Sequence, residues 1–223
     1  MAWDAHTVDT AADLRALMGD THPMMLDKSM DHIDEHIRRF LELTSLAIVA
    51  SVDADGHMDI SPKGDPPGFI TVLDEHTLAI PERAGNRRAD TFTNVLGNAA
   101  VAVLCMVPGM IETMRINGTA SITTDPDLLA DMDVDGHVPT FALVVHVEEA
   151  FIHCGKALRR GRLFDPDAFV DPSAYPSVGE VMFDHGRLER FGYTRESTID
   201  CAEDDYETNL YPPTGSEASS GVR

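Results

Sequence analysis

Cysteine and lysine are both scarce in this chain. Its 223 residues hold Cys105, Cys154 and Cys201 of the first and Lys28, Lys63 and Lys156 of the second. An odd cysteine number without CxxC spacing argues against a disulfide framework and against a zinc site. No run reaches the roughly 18 apolar residues of a membrane-spanning helix. The opening MAWDAHTVDTAADLRALMGD is acidic and lacks the basic start and apolar centre of a secretory signal, so cytoplasmic residence is the default expectation. No GxGxxG follows a first strand and no GxxxxGK is present, which removes the doubly wound dinucleotide fold and the P-loop. HExxH is missing too: His32 and His36 stand four apart on a predicted helix and read as helix surface.

What is abundant is acid. The formal charge is −21 at pH 7, opposite in sign to a nucleic-acid surface. Such a surface is well solvated and resists association. A pocket for an anion in this chain must therefore gather its few cations locally. An apolar share of 43% is enough for one substantial core.

Along the chain, Ala11 to Leu17 has a short helical pattern. Ile33, Ile37, Phe40 and Leu41 recur at helical spacing, with Ser29 or Asp31 as the expected cap. LAIVASVDADGHMDISPKG reads as two strands around a turn at Asp53-Ala54-Asp55-Gly56. PPGFITVLDEHTLAIP gives two shorter strands. RRADTFTNVLGN reads as a helix that stops near Gly97. AAVAVLCMVPG, ETMRINGTASITT and TFALVVHVEEAFIHC are further strands, with a bend or bulge expected at Asn117-Gly118. Asp125 to Met132 and the start of KALRRGRLF read as short helices. Many short strands and few helices, without βα alternation, indicate a barrel or a sandwich. The expected organisation is an extension over 1–30, a main domain over 31–164 and a second extension over 165–223, with TGSEASSGVR disordered.

Four segments can carry chemistry. In DISPKGD, alternation places Ser61 and Lys63 on one strand face, and the bland alternative is a polar strand end. In RAGNRRAD, Asn86 near a helix start and the arginines Arg87 and Arg88 suit an anion; the alternative is a solvated basic turn. In ETMRING, Thr113 and Arg115 can line a pocket, although on this segment alone ordinary surface alternation is the better explanation. In HCGKALRR, His153 and Lys156 suit a cofactor better than a metal, because no second ligand pair accompanies them.

In this order the segments DISPKGD, GNRRADTFTN, RINGTA and HCGKAL resemble the FMN-binding split-barrel superfamily, the pyridoxamine 5'-phosphate oxidase-like proteins. The similarity runs from about Ile33 to Phe164 and is nearest to a bacterial branch called probable FMN-dependent enzymes. The resemblance implies a mainly β (α+β) fold: a six-stranded antiparallel split β-barrel with flanking helices. It also implies a homodimer with two FMN sites at the interface. By motif order it implies cofactor binding by Ser61, Lys63, Asn86, Arg87, Arg88, Thr113 and Arg115, with His153 and Lys156 reaching in from the partner. It names no catalytic residue and no metal. The C-terminal Trp and Arg signature of pyridoxamine phosphate oxidase itself is missing, so vitamin B6 oxidation is not implied. The expected activity is an FMN-dependent oxidoreduction of a small molecule. The rival readings are a flavin carrier without turnover, or a deazaflavin- or haem-binding relative.

Overall fold

In the computed structural model, which describes residues 6–211, strand β1 (Leu46–Val52) turns every second side chain inward. Ala47, Val49 and Ser51 are buried, while Ile48 and Ala50 stay partly exposed on the other face. The carboxylate of Asp53 accepts the backbone N–H groups of Asp55 and His57, at 2.9 and 2.8 Å, and so holds the turn expected there. The chain then returns as β2 (Met58–Gly64), paired antiparallel to β1.

Five more strands follow: β3 (Thr71–Val72), β4 (Thr77–Pro81), β5 (Ala100–Met106), β6 (Thr113–Thr123) and β7 (Ala142–His153). Together they form one antiparallel sheet of seven strands in the order β2-β1-β5-β6-β7-β4-β3. The resemblance implies six strands in a barrel, whereas the apolar pattern itself reads as seven, with β3 the first of the two short strands in PPGFITVLDEHTLAIP. It is two residues long and paired only with β4. The sheet is not closed: β2 and β3 remain its edges. Proline explains part of this, because Pro62 in β2 and Pro81 at the end of β4 have no N–H for a closing ladder. Side chains span the gap instead. Lys63 of β2 reaches Glu82, and Asp65 reaches Arg83, both just past β4.

The concave face carries the core. Val49, Val103, Ile116, Leu78, Ile80, Leu143 and Val145 are almost fully buried there. Ile37, Phe40 and Leu41 of helix α3 (Glu35–Leu43), which follows the exposed α1 (Ala11–Met18) and α2 (Pro23–Leu26), join them, as do Phe92 and Val95 of α4 (Asp90–Gly97), which precedes the short α5 (Pro126–Ala130) and α6 (Lys156–Arg160). The cap of α3 is Asp34, whose Oδ1 accepts the Ile37 N–H at 2.8 Å, and not Ser29 or Asp31. The upstream backbone is spent elsewhere: Met30 pairs with Ala150, and Ile33 donates to the Glu75 carbonyl. Helix α4 also starts later than its sequence suggests. Arg87 and Ala89 have φ of 58° and 56°, which no right-handed helix accommodates, so Ala89 becomes the N-cap and Asn86 does not.

The β6–β7 register shifts between Asn117 and Gly118, the expected bulge. A Cβ on Gly118 would strike the carbonyl oxygen of His146, so this approach needs glycine. After β7, Lys156–Arg160 forms a short helix, and two longer ones, Val178–Gly186 and Arg195–Thr208, pack against each other. No helix among the described residues is long and apolar enough to cross a membrane. The segment TGSEASSGVR lies outside the described residues.

Candidate functional site

Where the end of β2 faces the end of β4, a cleft of about 580 Å³ opens, within the range of small-molecule and cofactor sites. One wall is the end of β2, with Ser61 and Lys63 on the inward face as their alternation requires. The opposite wall is Pro81 to Arg87, and the loop from His137 to Phe141 closes a third side. A smaller adjoining hollow of about 330 Å³ shares Ser61, Lys63, Glu82 and Asn86, and adds Arg88, Asp90 and Phe92.

The cations here have distinct duties. Arg83 donates to the Asp65 carboxylate at 2.5 Å and to the carbonyls of His137 and Met132 at 2.8 and 2.7 Å. Asp65 is fully buried, so this pair is structural: it fixes the loop that walls the cleft. Lys63 meets Glu82 at 2.5 Å and lies 4.9 Å from the centre of the Phe92 ring. Phe92 in turn makes an edge contact with Phe141 at 4.7 Å. Arg88 is exposed and bonds Asp90, and Arg87 lines the larger cleft. The Asn86 carboxamide accepts the Arg88 N–H at 3.0 Å, which tightens the turn that carries both arginines. Arg87 and Ala89 are left-handed, the kind of backbone conformation from which anion-binding concavities are built.

The remaining expected residues lie elsewhere on the chain. Registers β1–β5, β5–β6 and β6–β7 put Leu104, Arg115 and Phe151 in one row, and Met106, Thr113 and His153 in the next, on the convex face. Thr113 is buried, Arg115 contacts Glu149 at 3.5 Å, and Lys156 is exposed at the start of its short helix. One chain therefore brings Ser61, Lys63, Asn86, Arg87 and Arg88 together, and leaves Thr113, Arg115 and His153 on the other side of the sheet, with Lys156 outside the cleft on the helix that follows β7.

The convex group has a member that sequence reading missed. Lys28 donates to the Ile152 carbonyl at 3.0 Å and lies 4.9 Å from the Phe151 ring centre; Arg115 lies 5.0 Å from the same ring. Partial burial, then the charges of Arg115 and Lys28, hold the His153 imidazole below its ordinary pKa, so it stays neutral. Its rarity was the available signal, since Lys28 is one of three lysines. The cleft has a missed member too: Tyr211 lines it from the far end of the described chain, with no local sequence pattern to announce it.

Comparison with known proteins places these features in a lineage. The family model described as pyridoxamine 5'-phosphate oxidase matches residues 33–154. No curated protein matches the chain. Among solved structures, HupZ of Group A Streptococcus is 24% identical with a TM-score of 0.44, covering 54% of this chain and 93% of that one. HutZ, the haem storage protein of Vibrio cholerae, is 17% identical with a TM-score of 0.40, covering 54% and 94%. An FMN-binding protein of Syntrophomonas wolfei is 12% identical with a TM-score of 0.41, covering 64% and 93%.

Proposed function

Since the chain belongs to the pyridoxamine 5'-phosphate oxidase family, we propose that its cleft holds FMN and that the protein is an FMN-dependent oxidoreductase of a small-molecule substrate, working as a cytoplasmic homodimer. The observation that carries this reading is the Asn86–Ala89 turn. In a chain of charge −21 it combines Arg87, Arg88, the nearby Lys63 and two left-handed residues at the mouth of a cofactor-sized cleft.

These residues fit a phosphate. Lys63, Arg87 and Arg88 supply charged donors, Ser61 a hydroxyl and the turn its backbone N–H groups. Glu82 and Asp90 now neutralise Lys63 and Arg88, so a phosphate competes with carboxylates for both. Arg83 keeps its structural bonds throughout. The flavin, when bound, supplies the redox chemistry; the chain positions it and shields it from water. Thr113, Arg115 and His153 sit on the convex face, so they reach a cleft only across an interface, and Lys156 follows His153 by three residues. This favours a shared site in a two-fold dimer.

The spectrum and mass of the cofactor that copurifies test the central claim, with a flavin absorbance expected. A haem band in its place overturns it. Titrating apo protein with FMN tests the residues. Losing Arg87 and Arg88 together removes bonds worth about 1.5–3 kcal/mol each, so R87A/R88A binds at least tenfold more weakly. Lys63→Met folds normally and also binds more weakly. Equal dissociation constants in a folded double variant remove the turn from the site. Reduction of the bound flavin by NADH or NADPH separates an enzyme from a carrier.

A further inference from the structure

The family match ends at residue 154, yet the chain beyond it returns to the cleft. The helices α7 (Val178–Gly186) and α8 (Arg195–Thr208) form a hairpin, packed so closely at Gly179 that a Cβ there would lie 2.5 Å from the Ile199 Cα. Arg195 bonds Asp184 across the pair. After α8 the chain crosses to the barrel, where Leu210 and Tyr211 become part of the cleft wall.

Tyr211 is held there on three sides. Its hydroxyl donates to Asp65 Oδ1 at 2.5 Å, across 146 residues of sequence. Its ring stacks on His137, with centroids 5.6 Å apart and planes 29° from parallel. The Arg83 guanidinium lies 5.6 Å from the ring centre. These are the residues that fix the third wall of the cleft, since Arg83 pins the carbonyls of Met132 and His137. The bond to the Asp65 carboxylate, with burial and the carboxylate's charge, pushes the phenol up to about 12, so it remains a donor at physiological pH.

We propose that the segment after α8, which brings Leu210 and Tyr211 into the cleft wall, is a strap that ties the α7–α8 hairpin to the cleft, latched by Tyr211 onto Asp65, Arg83 and His137, and that release of this latch gates entry and exit of the ligand. The ligand being FMN rests on the function proposed above; the latch itself does not. Tyr211 acts as a positioning residue: its ring faces and hydroxyl are engaged by the protein.

Two measurements on the full chain test it. The first needs no cofactor: amide hydrogen exchange in wild type, Tyr211→Ala and Tyr211→Phe. In Tyr211→Ala, exchange accelerates in 137–141 and 195–210 while peptides from 46–52 and 100–106 stay protected. Tyr211→Phe keeps the stacking and shows a smaller change. Unchanged exchange, or loss of protection in the whole sheet, overturns the latch. The second is stopped-flow binding of FMN to apo protein. Tyr211→Ala speeds both association and dissociation about tenfold or more, the effect of one lost bond to a charged group, while the dissociation constant moves less. A faster dissociation alone makes Tyr211 a ligand contact and overturns the gate. Wild type that binds no FMN overturns the cofactor reading, and the exchange data then decide the strap alone.

Discussion

Cys105 is fully buried in β5, and burial pushes its thiol up to about 12, whereas Cys154 and Cys201 are exposed. A thiol-specific reagent at pH 8 is expected to modify two sulfurs per native chain and a third only after unfolding. Three in the native protein would mean that β5 opens readily. Its place in the apolar run AAVAVLCMV made this legible from sequence. So was the shared face of Ser61 and Lys63, because strand alternation is a local rule. The bond from Tyr211 to Asp65 was not, since nothing in a tyrosine's neighbours states which carboxylate it meets 146 residues away. Nor was the structural use of Arg83, which in sequence is simply the first arginine of RAGNRRAD.

At the scale of elements, most strands, most turns and the bulge of β6 follow from apolar periodicity and from Asp, Asn and Gly at the bends. The starts of α3 and α4 do not, because the upstream backbone is committed to partners far along the chain or to left-handed conformations. The bulge itself is open to test. Gly118→Ala forces its Cβ into the His146 carbonyl, so the β6–β7 pair must move apart. A loss of about 1–3 kcal/mol is expected in denaturant unfolding, with the slope against denaturant unchanged. A neutral substitution would show that the close approach is relieved at no cost. Asn117, whose amide donates to Glu149 at 2.7 Å, supports the same bend from the convex side.

The whole molecule carries an apolar face that one copy leaves uncovered. Met58 and Ile60 of β2 are 73% and 68% exposed. Their register sets them beside Val52 and Ala50 of β1, and Ala102 of β5 continues the same row. Residues of one strand face meeting their own copies suit a two-fold axis. The double substitution M58E/I60E places two more negative charges per chain on that face of an already acidic protein. Sedimentation velocity is expected to show a dimer for wild type and a monomer for the variant, with cofactor affinity falling in parallel. A monomeric wild type that keeps its cofactor at full occupancy would exclude the shared site. The dimer is an expectation carried by the resemblance; the placement of Thr113, Arg115 and His153 on the face opposite the cleft emerges only from the register of β6 and β7.

Pro62 and Pro81 bear on how such assembly stops. A strand edge with its N–H groups intact is an open-ended template: each copy that adds leaves a fresh edge for the next, and the product is a fibre. Here the edge strand β2 carries a proline at its middle and runs into Pro66 and Pro67. Growth along the ladder is therefore denied, while contact flat against the sheet is left free. Face-to-face contact about a two-fold axis is exhausted once it has been made, because each copy has spent the surface it offers. A dimer of the kind proposed would on this account be finite, because the proline of β2 denies further growth along that edge.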